Sequence, residues 1–270
     1  PMPTIALLTD FGLQDPYVGA MKGAILTVCP EVTLVDLAHE IPAHDVLAGA
    51  LALEACFTVF PEGTVFLAIV DPGVGSSRRA IAVEAGGRLF VAPDNGLLSL
   101  VLAAQPGAHA HAITSPSLAR AEISPVFHGR DLFGPVAAHL ARGLPIAEVG
   151  PAVSDLVRLD LPPAERTGEG WQGRVLHVDR FGNLTTSLRA GEIAPLGTPS
   201  AGSLEVRAGG RVLPFVRTYA DVALGEPCAL VGSGGRIEIA VREGRADRRL
   251  ALAPGAIVVV HPVGGGSGRS

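Results

Sequence analysis

The stretch Asp71-Pro72-Gly73-Val74-Gly75-Ser76-Ser77-Arg78-Arg79 holds the densest set of chemically capable side chains in this 270-residue sequence. It follows the apolar run Val65–Val70, so Asp71 stands where a buried strand gives way to a glycine-rich loop. The glycines allow a sharp turn and a close backbone approach to a ligand. Arg78 has the reach to fold back across such a loop and hold the Asp71 carboxylate. Two further apolar runs end in acidic residues: Ile5–Thr9 at Asp10, and Arg88–Ala92 at Pro93-Asp94-Asn95-Gly96. One aspartate before Pro, Asn or Gly is ordinary turn chemistry. Three at strand ends of one domain point to a polar binding rim, because open α/β sheets bind ligands outside the carboxyl ends of their strands.

Three more stretches carry candidate groups. In Phe127-His128-Gly129-Arg130-Asp131, His128 sits at a loop-to-helix junction and reads equally as an acid–base group or a structural hydrogen-bonder. In His177–Thr185 an apolar strand runs into a polar turn holding Asp179 and Asn183, and Val231–Ala240 reads as a hairpin with Glu238 in an apolar strand. Several familiar patterns fail. Asp10-Phe11-Gly12 matches the kinase magnesium triplet only in its letters, and no GxxxxGK[ST], GxSxG or HExxH occurs. Gly232–Gly235 has no following helix, and His109 and His111 read as surface loop residues, so no metal site is expected. The residues alone leave other readings open: a magnesium-dependent phosphohydrolase using Asp10, Asp71 and Asp94, or a non-catalytic nucleoside sensor.

The elements that must position these groups divide into two textures. Apolar runs at Ile5–Thr9, Val32–Leu37, Val65–Val70 and Arg88–Ala92 alternate with helical patterns at Tyr17–Val28, His44–Phe60, Leu97–Ala104 and from Gly134-Pro135 to about Arg142. This predicts an α/β domain over residues 1–161 with a mainly parallel sheet. Residues 162–170 read as a linker. Over residues 171–263, strand candidates at Arg174–Val178, Ser203–Arg207, Val212–Val216, Cys228–Val231, Ile237–Val241 and Ala256–Val260 come with glycine turns and no convincing helix, predicting an all-β domain, either a small antiparallel barrel or a sandwich. The Gly/Ser-rich tail, 264–270, is expected to be disordered.

Composition narrows the function classes. Only 17% of residues are charged and 48% are hydrophobic, which favours an oligomer. The net charge is −5, Lys22 is the one lysine, and no arginine stripe is interleaved with aromatics, so nucleic acid is excluded as an expected partner. Three distant cysteines form no framework, which favours a cytoplasmic setting. The first residues lack a signal-peptide layout, and no apolar run approaches the ~18 residues of a membrane span.

Taken together, Leu8-Thr9-Asp10-Phe11-Gly12 with Asp15 and Tyr17, Val70-Asp71-Pro72-Gly73-Val74-Gly75 with Arg78, Ala92-Pro93-Asp94-Asn95-Gly96, Phe127-His128-Gly129-Arg130-Asp131, Asp179-Arg180-Phe181-Gly182-Asn183 and Ser233–Ala240 resemble one family, in order and from Ile5 to about Pro262. It is the S-adenosylmethionine hydroxide adenosyltransferases, or S-adenosylmethionine hydrolases, relatives of the bacterial fluorinase and chlorinase. The resemblance implies hydrolysis of S-adenosylmethionine to adenosine and methionine by attack of water on the ribose C5′, with no cofactor. It implies an N-terminal α/β domain, a C-terminal β-barrel, and a homotrimer binding its ligand between the first domain of one subunit and the second of its neighbour. By the same resemblance Asp71, Arg78 and His128 are catalytic and Asp10 binds ribose. Asp15, Asp94, Asn95, Asp179, Phe181, Asn183, Ser233 and Glu238 fall among the substrate contacts. The halogenases place a tyrosine where Asp71 stands and carry an extra loop after this site. Here Ala80–Val91 passes from strand to strand through Gly86-Gly87 alone, and Val74 and Gly129 offer no hydroxyl, so the water-using branch is the nearer match.

Overall fold

The computed structural model describes residues 2–168, 170–194 and 202–263. The chain forms two compact units, divided between Leu159 and Asp160. The first contains strands β1 (Thr4–Thr9), β2 (Thr33–Ala38), β3 (Val65–Ile69), β4 (Ala80–Ala85), β5 (Arg88–Pro93), β6 (His109–Ala112) and β7 (Ala152–Val153). Its helices are α1 (Tyr17–Val28), α2 (Val46–Cys56), α3 (Ser99–Ala104) and α4 (Gly134–Ala141). The sheet order is β2-β1-β3-β5-β4-β6-β7.

Successive residues of β1 and β3 serve opposite faces, as the two-residue period of a strand requires. Ile5, Leu7 and Leu67 enter a core with Met21, Ile25 and Phe133, while Ala6, Leu8 and Phe66 enter another with Leu53, Phe90 and Leu97. Burial on both faces is why these strands read as unbroken apolar runs. Asp45 starts α2 by accepting the Ala48 amide at 2.9 Å.

The sheet is mixed, not mainly parallel. β1 pairs parallel with β2 and β3, and β3 with β5, but β4 runs antiparallel to β5 and β6, and β6 to β7. The cause lies at Gly86 and Gly87, both at positive φ (57° and 71°), which close β4 onto β5 as a two-residue hairpin. His109 and His111 lie on β6 rather than in a loop. The parallel part matters for the site: β1, β3 and β5 end on one edge, just before or at Asp10, Asp71 and Asp94.

The second unit contains β8 (Glu165–Thr167), β9 (Gly170–Val178), β10 (Leu184–Arg189), β11 (Leu204–Ala208), β12 (Arg211–Pro214), β13 (Pro227–Val231), β14 (Arg236–Val241) and β15 (Ile257–Pro262), with short helices α5 (Ala190–Ile193) and α6 (Ala246–Leu250). The strands run β12-β11-β15-β9-β10-β14-β13, every neighbouring pair antiparallel. A bridge between Phe215 and Ala229 brings the two ends together into a nearly closed barrel. Within the stretch read as a linker, β8 pairs with β9; its Glu-Arg-Thr sequence has no apolar alternation to announce a strand. β10 and the two helices were likewise absent from the sequence reading. Glu169 and the tail at 264–270 lie outside the described residues.

Leu67 is fully buried at the centre of the first unit. Leu67→Ala should lower that unit's stability by about 2–5 kcal/mol in a urea titration; a loss below about 1 kcal/mol would contradict this core assignment.

Candidate active site

β3 delivers Asp71 to the strand edge, and the loop after it returns Arg78 to meet it. Arg78 Nε donates to Asp71 Oδ1 at 3.0 Å, and Arg78 Nη2 donates to Asp71 Oδ2. The same Nη2 lies 2.9 Å from His128 Nδ1. Arginine only donates, so Nδ1 is the acceptor and the ring proton resides on Nε2. The guanidinium also stacks over Phe133, 5.1 Å from the ring centroid. The Asp71 and Arg78 side chains are 6% and 11% exposed, so this is a nearly buried ion pair with an imidazole attached. Burial, and then the Arg78 charge, lower the His128 pKa below its ordinary 6.5, outweighing the opposite pull of Asp71 and Asp131.

Asp71 and His128 line a cleft of about 270 Å³ together with Asp10, Phe11, Tyr17 and His44. Asp10 Oδ2 accepts the His44 backbone N–H at 2.9 Å. His44 has φ 67°, a region that few residues other than glycine occupy, though histidine is among those enriched there. Phe11, Tyr17 and Phe127 meet edge to face, with centroids 5.4–6.3 Å apart, and wall one side. Such a set suits proton transfer with a small ligand seated beside the Asp10 carboxylate.

The His128 loop is held by Asp131, which is fully buried. Arg130 grips it in bidentate fashion at 2.7 and 2.8 Å, Arg120 Nε lies at 3.2 Å, and the Ser124 amide donates at 2.9 Å. These partners, Arg130 foremost, hold the Asp131 carboxyl below its ordinary value despite its burial. Gly75, at φ +78°, presses on this loop: a Cβ there would sit 2.7 Å from the Pro125 carbonyl oxygen. Residue 75 therefore has no room for a side chain.

The other expected contacts divide. Asp94 does not line the cleft; Arg79 holds its carboxylate at 2.6 and 2.9 Å, and it accepts the Val157 amide. Asn95 donates to the Val70 carbonyl at 2.8 Å, fixing the chain just before Asp71. Asp15 is exposed in the loop after β1 and also lies off the cleft lining. In the second unit, Asp179 accepts the Asn183 backbone and side-chain amides at 2.8 and 3.0 Å. Glu238 lies half-buried on β14 with its carboxylate over Gly232, where a Cβ would fall 2.0 Å from Oε1. Burial, and then the Asp179 charge, raise the Glu238 pKa, which places the two carboxylates in one neighbourhood. Ser233 is exposed in the turn before β14, and Phe181 is 73% exposed. His44 escaped the sequence reading because a lone histidine before a helix cap gives no sign of its φ.

With this geometry in place, comparison with known proteins identifies the relatives. The chain belongs to the SAM hydroxide adenosyltransferase family: residues 5–150 match the model of the family's N-terminal domain, and residues 173–259 that of its C-terminal domain. It is 42% identical to a protein of Salinispora tropica named (R)-S-adenosyl-L-methionine hydrolase, over 94% of this chain and 96% of that one. Identity to a protein named fluorinase from an Actinoplanes strain is 31%, over 88% and 90%. The fold is similar to that of an uncharacterized conserved protein from Thermotoga maritima, with TM-score 0.89 and 34% identity over 95% of this chain and 99% of that one.

The lowered His128 pKa has a consequence with a definite sign. The folded site favours the neutral ring, so its contribution to stability is present above pH 6.5 and lost as pH falls through the lowered folded value. In an NMR titration the His128 ring should titrate below 6.5, and Arg78→Met should raise its midpoint by removing the adjacent cation. An unchanged or lower midpoint in that variant would refute the assigned contact.

Proposed function

We propose that this protein hydrolyses S-adenosylmethionine to adenosine and methionine. The observation that carries the reading is the Asp71–Arg78–His128 set on a cleft that also holds Asp10, in a chain 42% identical to a named S-adenosylmethionine hydrolase. In the proposed reaction a water oxygen attacks the ribose C5′ as the C5′–S bond breaks, and sulfur keeps the bonding pair as a neutral thioether. The sulfonium is thus its own good leaving group, and no cofactor is required. What remains is alignment of the water, which can supply roughly 7–11 kcal/mol.

Asp71 takes the proton, but not in advance of attack. Water is a far weaker acid than a carboxylic acid, so handing its proton to a carboxylate before attack is steeply uphill. Transfer is therefore concerted with C–O bond formation. Arg78 holds Asp71 in place and balances its charge. With Nδ1 engaged by Arg78, His128 has only its Nε2–H to offer, so its role is to donate to and orient the water oxygen rather than to serve as base. Asp10, with Oδ2 occupied by His44, binds a ribose hydroxyl through Oδ1.

Asp179, Phe181, Asn183, Ser233 and Glu238 contact the substrate in this reading. It includes the family's homotrimer, in which a neighbouring copy's second unit completes the site. Asp94 and Asn95 enter it as supports of the rim rather than contacts. Three free cysteines support a cytoplasmic setting, and among the described residues no helix is long and apolar enough to cross a membrane. The magnesium-dependent phosphohydrolase is less well supported, because Asp71 and Asp94 are each already engaged by an arginine.

Asp71→Asn should lower adenosine release from S-adenosylmethionine by at least about 100-fold, while adenosine binding by calorimetry stays within about threefold of wild type. Wild-type turnover in this variant would contradict the assignment, as would binding of S-adenosylmethionine without any product in the wild type.

A further inference from the structure

One run of polar contacts in the first unit is not used by the chemistry above. The Phe11 amide donates to Thr9 Oγ1 at 3.2 Å, and Thr9 Oγ1 lies 2.8 Å from His39 Nδ1. His39 Nε2 lies 3.1 Å from Asp36 Oδ1, and Lys22 Nζ donates to Asp36 Oδ2 at 2.7 Å. The carboxylate accepts at Nε2, so Nδ1 is left to accept the Thr9 hydroxyl proton, and Thr9 can then accept from Phe11. Burial alone would raise the Asp36 carboxyl, but Lys22 and His39 together hold it below its ordinary value. The buried donors of the series, the Thr9 hydroxyl and His39 Nε2–H, thus each have an acceptor.

This arrangement ends at a place that matters. Thr9 is fully buried and His39 is 4% exposed, so neither can replace a lost partner with bulk water. The His39 backbone carbonyl also accepts the Gly12 amide at 2.7 Å. His39 therefore holds the turn Asp10–Gly12 at two points, through Thr9 at Phe11 and through its own carbonyl at Gly12. Two cleft residues ride on that turn. One is Asp10; the other is Phe11, whose ring packs so close to Gly129 that a Cβ there would lie 3.0 Å from Phe11 Cζ. Gly129 is the neighbour of His128.

We infer that His39 is a positioning residue for substrate binding, setting through Thr9 the turn that presents Asp10 and Phe11 to the cleft. The inference rests on the reading of Asp10 as a ribose-binding group. It separates His39 from the catalytic set: among the described residues no hydrogen bond joins Asp71, Arg78 or His128 to this series, so its loss acts on affinity rather than on the chemical step. Loosening the turn weakens one hydrogen bond from substrate to the Asp10 carboxylate, which corresponds to about tenfold in affinity.

The test uses the full chain and four single variants: His39→Leu, His39→Asn, Thr9→Val and Thr9→Ser. His39→Leu and Thr9→Val should each raise the adenosine Kd and the KM for S-adenosylmethionine about tenfold, with kcat within threefold of wild type. Thr9→Ser keeps the hydroxyl and should bind as wild type does. His39→Asn can place an acceptor near the Nδ1 position and should recover part of the loss. The double variant Thr9→Val/His39→Leu should bind no worse than the weaker single one, because both cut the same series. A merely structural role would lower Tm without this split between KM and kcat. Folded Thr9→Val and His39→Leu proteins with Kd and KM within twofold of wild type would overturn the inference, as would a fall in kcat at unchanged KM. A wild-type chain that neither binds adenosine nor releases it from S-adenosylmethionine would overturn the functional reading as well.

Discussion

The site depends on one guanidinium with two partners. Arg78 gives Nε–H and one Nη2–H to Asp71 and the second Nη2–H to His128, so a single side chain fixes the carboxylate, the histidine tautomer and the distance between the two loops that carry them. A nearly buried charge requires that degree of pairing, since removing one partner leaves the other desolvated and uncompensated. Much of the surrounding structure satisfies this constraint. Phe133 packs against the cation, Asp131 ties down the His128 loop, and Gly75 gives that loop room to approach.

The adjacent arginine shows how position in the chain divides roles. Arg78 and Arg79 lead into β4, where neighbouring residues point to opposite sides. Arg78 meets Asp71 at the cleft, and Arg79 meets Asp94 and Asp155 away from it. Two strand-end aspartates thus acquire different work from two consecutive arginines. Asp71 keeps one side toward the cleft, whereas Asp94 spends its oxygens holding the segment around Val157. Asp94 looked like Asp71 in sequence because both follow a buried strand; only the direction of their partners distinguishes them.

The parts of the fold legible in sequence were those with a strong period. Tyr17–Val28 forms a helix over the range its pattern indicated, and the apolar run Val65–Val70 contains β3, Val65–Ile69, buried on both faces. The Gly86-Gly87 link is visible in the sequence too, and a two-residue link between strands demands an antiparallel pair, which is where the sheet departs from a parallel one. β8 and β10 were missed for another reason: polar Glu-Arg-Thr and Leu-Thr-Thr-Ser runs gain their order from neighbouring strands, not from their own pattern. In the site, Asp71, Arg78 and His128 could be singled out as residues, and the spacing of Asp71 and Arg78 already allows their pairing, but the arrival of His128 beside Arg78 could not be read. It requires a contact between positions 50 apart in the chain. The roles of His39 and His44 left no local trace at all, being matters of a tautomer and a backbone angle.

The central claim is that water activated beside Asp71 attacks the ribose C5′ of S-adenosylmethionine. Turnover in ¹⁸O-labelled water with mass analysis of both products tests it most directly. The account predicts one labelled oxygen per adenosine, located in the 5′-hydroxyl, and unlabelled methionine. Label in methionine, or adenosine formed without label, would contradict it.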